Sequence, residues 1–280
     1  MPLFFIAELR SPSPIMPLHI YKSRIVSLSM VVVFCTGFGM FGSFVFIPLF
    51  FQGALGASPT SSGSFLTPMM LSMVLGSALW GQALSRLGGH YRILGIIGLA
   101  IMGIGVLLLA DISRQTPAIK TILYMALMGF GMGTTFPTFN IAVQNAVPYR
   151  LLGTATAATQ FWRSIGGALG LAILGSIMIA RFGSGLGSYL TENTRDHNQV
   201  SELHSLIENP QILMDPDPIQ ALCNITAGLK LLNPNSTQEL LEALRVSLTS
   251  AIGDIFLVTF ATTSVAIIAT LFIKELPLRR

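Results

Sequence analysis

The chain of 280 residues is 52% hydrophobic and only 10% charged, well under half the charge of an average soluble domain. This composition excludes an ordinary soluble globular protein. The formal net charge of +4 comes from basic residues at the ends of apolar segments rather than from one patch, so no nucleic-acid partner is predicted.

Long apolar segments follow one another along the chain. Residues 25–85 contain no Lys, Arg, Asp or Glu, and the run Gly56–Thr60 divides them into two crossings of the roughly 20 residues that a bilayer requires. Continuous rather than alternating apolar runs predict helices instead of a β-barrel. The fold class is therefore all-α, a polytopic membrane protein with six transmembrane helices in a lipid bilayer. The four later crossings are Ile93–Ala110, Thr121–Gln144, Ala155–Ala180 and Ile255–Ile273.

Basic residues near the ends of these crossings predict the orientation. With the N-terminal end inside, nine of them face the cytoplasm: Arg10, Lys22, Arg24, Arg86, Arg92, Arg150, Lys274, Arg279 and Arg280. The short opposite loop holds only Arg114 and Lys120. This asymmetry is typical of a protein with both ends in the cytoplasm.

Four regions follow from this pattern. Residues 1–24 form a cytoplasmic linker, 25–180 the first five helices, 181–253 an extracytoplasmic loop, and 254–280 the last helix with a basic tail. Inside the loop, apolar residues recur at one-turn intervals and predict an amphipathic helix on the membrane surface that runs into the last crossing: Leu240, Leu244, Leu248 and Ile252. Pro48 is expected to kink the first helix.

Residues for catalysis inside the membrane are missing from the sequence. The four histidines (His19, His90, His197 and His204) lie outside the predicted crossings, and Cys35 and Cys223 make no metal-binding set. We therefore predict neither an enzyme nor a bound cofactor.

Arg163 is the one charge inside a predicted crossing. Such residues are costly and usually functional, which favours a gate or interhelix contact. The alternative is that the side chain extends to the cytoplasmic interface or caps helix carbonyls. Amides within or beside the crossings, Gln52, Asn140, Gln144, Asn145 and Gln160, bond across helices or line a wet path. The pairs Gly129/Gly133 and Gly166/Gly170 have GxxxG spacing, for which close helix packing is the simplest interpretation.

The run from Gln144 to Gly167 (QNAVPYRLLGTATAATQFWRSIGG) strongly resembles the EmrB/QacA-type fourteen-span drug:proton antiporters of the major facilitator superfamily. IPLFFQ at residues 47–52, GASP at 56–59 and GFGMG at 129–133 support this resemblance. It covers residues 15–180 well and the last crossing weakly. The turn at residues 85–92 is similar to that superfamily's cytoplasmic loop motif but lacks its aspartate.

This resemblance implies one six-helix bundle, the C-terminal half of a proton-coupled multidrug efflux transporter in the bacterial inner membrane. The first half, with its proton-coupling carboxylates, is not in the sequence. A small lipophilic or cationic substrate and a second bundle, either the missing N-terminal one or a second copy, are the implied partners. The implied substrate path lies between the bundles, along the first and fourth helices. Its candidate residues are Phe38, Phe41, Met132 and Asn140, with Arg163 and Gln160 as gate or interhelix contacts.

A half-transporter of this kind is expected to be inactive alone. The alternative is a non-transporting membrane fragment or regulatory half that only packs against partner helices.

Overall fold

The structure, a computed structural model, describes residues 18–86, 90–113, 115–193 and 234–275. These residues form six long helices, each long and apolar enough to cross a membrane. An all-α fold with six crossings is therefore confirmed. The helices are α1 (Arg24–Leu49), α2 (Pro59–Arg86), α3 (Tyr91–Ala110), α4 (Ala118–Asn145), α5 (Leu152–Asn193) and α6 (Pro234–Leu271).

Three short elements join or precede these helices. A 3₁₀ turn, Leu18–Lys22, precedes α1, and another, Tyr149–Leu151, leads into α5. The end of α1 widens into a π-helical turn, Phe50–Ala54, two residues beyond Pro48. Proline lacks a backbone N–H, so the regular hydrogen-bond ladder is already interrupted there. Gly56 then reverses the chain with a φ of 69°, a conformation that side chains disfavour.

The helices pack in pairs. α2 lies mainly on α4, and α5 lies mainly on α1, while α3 and α6 contact each other and hold the two pairs together. α1 and α4 also touch directly. α2 is the least buried crossing and α1 the most buried, so α1 lies at the centre of the bundle and α2 at its edge.

Both predicted GxxxG pairs lie where helix backbones meet. A Cβ at Gly166 would overlap the carbonyl oxygen of Phe34, and Gly170 faces the backbone of Phe38, both on α1. Gly129 and Gly133 face the carbonyls of Met69 and Met73 on α2 in the same way; these contacts confirm the packing interpretation. Dispersion between closely placed backbones replaces the hydrophobic drive that lipid removes.

The last helix continues from the amphipathic segment as predicted, but that segment packs in a different place. α6 is one continuous helix that begins at Pro234, about twenty residues before the predicted crossing. The apolar residues Leu244, Leu248 and Ile252 belong to the main buried cluster of the bundle. The segment is helical and amphipathic, as its periodicity predicts. Its apolar face packs on protein, however, and not on the membrane surface.

The ends of α3 and α6 are tied together near the chain's end. His90 Nδ1 lies 2.9 Å from a carboxylate oxygen of Glu275, and the Tyr91 hydroxyl donates a hydrogen bond of 2.8 Å to the carbonyl of Lys274. The predicted linker up to residue 17, most of the extracytoplasmic loop and the last five residues of the tail lie outside the described residues.

Candidate functional site

Arg163 lies inside the bundle, with 2% of its surface exposed. It follows the start of α5 by eleven residues, which is about 16 Å along a helix. Its guanidinium carbon lies 3.7 Å from the centre of the Phe136 ring on α4, a cation–π contact. Its Nε has no hydrogen-bond acceptor among the described residues. The side chain therefore reaches across to α4 and not back to the interface.

Two hydrogen-bonded pairs join the same helices nearer to the turn between them. Gln144 Nε2 donates to the Thr156 hydroxyl at 2.9 Å. The Thr159 hydroxyl lies 2.8 Å from Asn140 Oδ1 and 2.7 Å from the Thr156 carbonyl, so two acceptors share its single proton. These bonds confirm that Asn140 and Gln144 bond across helices.

Together these contacts form three rungs, each about one helical turn apart, because Phe136, Asn140 and Gln144 share one face of α4. We call this set the α4–α5 ladder; it comprises Phe136, Asn140 and Gln144 on α4 and Thr156, Thr159 and Arg163 on α5. α4 and α5 contact each other much less than either contacts its main neighbour in the bundle. The ladder therefore adds polar and cation–π contacts to the apolar cluster that Val143 of α4 shares with Ala155 of α5.

The 3₁₀ turn before α1 covers one side of the ladder. Its Tyr21 hydroxyl accepts a hydrogen bond of 3.1 Å from the indole N–H of Trp162, the neighbour of Arg163. Burial raises the pKa of the Tyr21 phenol, so it stays protonated across the physiological range. Ile20, in the same turn, packs with Val143 of α4 and Ala155 of α5.

The four predicted path residues do not share one surface. Phe38 and Met132 are 5% and 0% exposed and belong to the same buried cluster. Phe41 is half-buried against Gly167 of α5, and Asn140 is half-buried in the α4–α5 ladder. Asn140 and Arg163 are thus brought together in one structural unit, whereas Phe38 and Met132 lie deeper in the bundle.

Gln160 points the other way. It is exposed, although its neighbours Thr159 and Arg163 are almost fully buried on the adjoining face of α5. The sequence reasoning missed Phe136, Thr156 and Thr159 as ladder members. The signal that could have found them is the one-turn spacing of polar and aromatic residues on both helices beside the turn that joins them.

A second concave region opens at the other end of the bundle. A cavity of about 770 Å³ is lined by Asp111, Lys120, Tyr124 and Leu257, among others. Asp254 lies beside this region and pairs with Arg181 at 3.1 Å, while Asp111 is exposed. Both carboxylates are therefore at an end of the bundle, where solvation is available, as predicted.

Comparison with protein families gives one match. The model described as Major Facilitator Superfamily matches residues 5–171, more than half of the chain.

Three of the relatives are bacterial resistance and transport proteins. The chain is 32% identical to the multidrug transporter protein MdtP of Bacillus subtilis, over 98% of this chain and 50% of that protein. It is 30% identical to multidrug resistance protein 3 of the same organism, over 76% of this chain and 43% of that protein. A tetracycline resistance determinant of Streptomyces rimosus is 31% identical over 64% of this chain and 51% of the relative. The chain thus spans about half the length, or less, of the curated relatives it matches.

Proposed function

Because this chain belongs to the Major Facilitator Superfamily, we propose that it is one six-helix bundle of an efflux transporter for lipophilic or cationic compounds. The proposal includes the C-terminal position of this bundle, the EmrB/QacA type, exchange of substrate for protons, and residence in a bacterial inner membrane. One observation carries it: 98% of the chain aligns with 50% of a multidrug transporter.

Transport by such a bundle requires a second one. Alternating access moves two bundles around a site near the middle of the membrane, and a single bundle supplies only one wall. The partner is an N-terminal bundle on another polypeptide or in the same reading frame, or a second copy of this chain. The exposed apolar face of α2, with Leu71, Val74 and Leu75, offers a surface for lipid or for that partner.

Within the bundle, we assign the substrate path to the seam of α1 with α4 and α5. Phe41 and Asn140 are its half-buried members, while Phe38 and Met132 back them from the buried cluster. Arg163 serves as a gate or interhelix contact within the α4–α5 ladder. Gln160, exposed beside it, is a contact for the second bundle.

Reconstitution tests the requirement for a second bundle. The purified chain in vesicles is expected to insert but to export no lipophilic cationic dye when a proton gradient is imposed, because one wall of the site is absent. Addition of the first half of the Bacillus subtilis MdtP protein as a separate chain is expected to produce export. Dye fluorescence measures the movement, and a protonophore is the control for coupling.

Two outcomes would change this proposal. Gradient-dependent export by the chain alone would assign the second wall to another copy of this chain, which crosslinking would detect as a dimer. No export with either partner, although the protein is fully inserted, would contradict transport. It would favour the alternative of a bundle that only packs against other helices.

A further inference from the structure

The positive charge of Arg163 has no carboxylate beside it in the described part of the chain. The described acidic residues lie near the ends of helices or of the bundle: Asp111, Glu192, Glu239, Glu242, Asp254 and Glu275. Asp254 pairs with Arg181, and Glu275 pairs with His90. A charge that is 98% buried is costly unless an opposite charge or hydrogen-bond acceptors surround it.

The orientation of the guanidinium indicates which ligand fits. Phe136 covers one face of this planar group at 3.7 Å. The N–H bonds of a guanidinium lie in its plane, and a cation–π contact does not give them a hydrogen-bond acceptor. Nε, on one edge of the plane, has no acceptor among the described residues. Carboxylates bind arginine along such an edge, with two parallel N–H···O bonds.

The residues around Arg163 further restrict the kind of ligand that fits. Backbone of α1 abuts the backbone of α5 at this residue, because a Cβ at Gly37 would overlap the carbonyl oxygen of Arg163. Phe34 and Trp162 meet edge to face nearby, with ring centres 6.4 Å apart. Apolar and aromatic neighbours lower the local dielectric, which strengthens attraction between the guanidinium and an anion. Exposed Gln160 and Ser164 place this point one helix face away from the bundle surface.

We propose that Arg163 is a binding site for a carboxylate that is attached to an apolar, aromatic framework. The carboxylate bonds edge-on to Nε while the guanidinium face stays on Phe136. Two sources supply this chemistry: an aromatic acid carried as substrate, or an acidic side chain of the second bundle. Both sources rest on the proposed function, since each requires this bundle to be part of a transporter.

Binding to the chain in lipid nanodiscs tests the site directly. The chain has two tryptophans, so Trp80→Phe leaves Trp162, next to Arg163, as the only tryptophan that can act as an energy-transfer donor. The probe is 9-anthracenecarboxylate, and its uncharged amide is the matched ligand. The carboxylate is expected to bind at least tenfold more tightly than the amide.

Arg163→Gln should remove this preference, and Arg163→Lys should keep part of it because lysine lacks the planar fork. Ser164→Ala, at another exposed position of the same helix, is the control variant and should keep the full preference.

The same measurement on the chain paired with the first half of MdtP separates the two sources. If the carboxylate belongs to a substrate, the tenfold preference persists in the pair, and the vesicles export the probe. If it belongs to the second bundle, pairing abolishes the preference, and Arg163→Gln weakens the pairing. Equal affinity for acid and amide in the chain alone would overturn the proposal, as would an undiminished preference in Arg163→Gln. Dye export reports on transport, and the preference for acid over amide reports on the carboxylate site. The two proposals can therefore fail independently.

Discussion

The absence of a Cβ atom at particular glycines decides how closely α1 and α5 approach each other. Gly166 faces the carbonyl oxygen of Phe34 with no room for a methyl group, whereas Gly175, nine residues later on the same helix, has nothing within 4 Å of an added Cβ. Both glycines lie in the interior of α5. They therefore form a matched pair in which only the neighbouring backbone differs.

Replacing each glycine by alanine should have opposite effects. Alanine gains up to about 1 kcal/mol of helix propensity over glycine at either site. At Gly166 the methyl group also forces the backbones apart, which costs about 1–3 kcal/mol. We expect Gly166→Ala to lower the midpoint of thermal unfolding in detergent and Gly175→Ala to leave it unchanged or raise it. A midpoint for Gly166→Ala at or above that of the Gly175 variant would show that the two helices are not in close contact.

For single residues, the sequence predicted which side chains need a polar partner better than it predicted where those side chains lie. It singled out Arg163 from its charge, and Asn140 and Gln144 from their amides, because polar groups in lipid need partners. It did not identify Phe136 as the partner of Arg163, since an aromatic residue in an apolar helix carries no distinguishing signal. It also did not indicate that Gln160 is exposed. The exposure of Gln160 depends on how α5 is rotated about its axis, and the packing of whole helices determines that rotation.

The helices themselves were largely predictable. Apolar length gives six crossings, and the ends of α3 and α4 fall within three residues of the predicted limits. The differences lie in α5, which extends to Asn193 beyond the predicted limit at Ala180, and in α6, whose amphipathic segment was expected on the membrane surface before it runs into the crossing. In the structure Gly253 allows α6 to approach the carbonyl of Ala110, and the helix continues through it. A glycine in a helical pattern thus marks a contact here and not an end.

Proline at Ser250 tests the continuity of α6. Ser250 is exposed, so its side chain makes little packing contact, and Ser250→Ala is a mild control. Proline removes one backbone hydrogen bond and clashes with the carbonyl of residue 246, which costs about 3 kcal/mol in a helix interior. We expect Ser250→Pro to lower the thermal midpoint strongly and to expose residues 234–249 to protease. Stability equal to that of Ser250→Ala would mean that the segment before residue 250 is a separate helix.

At the scale of the whole molecule, the described residues make one bundle, while the relatives have roughly twice its length or more. The composition of the sequence predicts that the chain lies in a membrane, and the pattern of basic residues predicts its orientation in that membrane. The orientation depends on charges in the loops, which a packed bundle of helices does not itself reveal, so it needs a separate measurement.

Cysteines at positions 88 and 188 measure that orientation. In a background with Cys35 and Cys223 replaced by serine, Gly88→Cys should react with a membrane-impermeant maleimide only after cells are opened. Ser188→Cys should react in intact cells, because the positive-inside pattern places it on the opposite side. Labelling of Gly88→Cys in intact cells would contradict the predicted orientation. Permeabilised cells are the control that both sites are accessible.

The α4–α5 ladder stands on a hinge, the short turn between Asn145 and Leu152. If the two helices splay by about 5° at that turn, the separation grows with distance from it: about 0.5 Å at Thr156, 0.9 Å at Thr159 and 1.4 Å at Arg163. The bond of 2.9 Å from Gln144 to Thr156 lengthens to about 3.4 Å and is weakened. Arg163 would move to about 5 Å from the Phe136 ring, still within the range of a cation–π contact.

The middle rung lengthens most among the hydrogen bonds, to about 3.7 Å, and breaks, but its hydroxyl has a second acceptor. Thr159 loses Asn140 but keeps the carbonyl of Thr156 at 2.7 Å within its own helix. The cation–π contact, which is the least sensitive to distance, lies farthest from the hinge, and the hydrogen bond from Gln144 to Thr156 lies nearest to it. A small opening of this hairpin therefore leaves only the amide oxygen of Asn140 without its partner from α5.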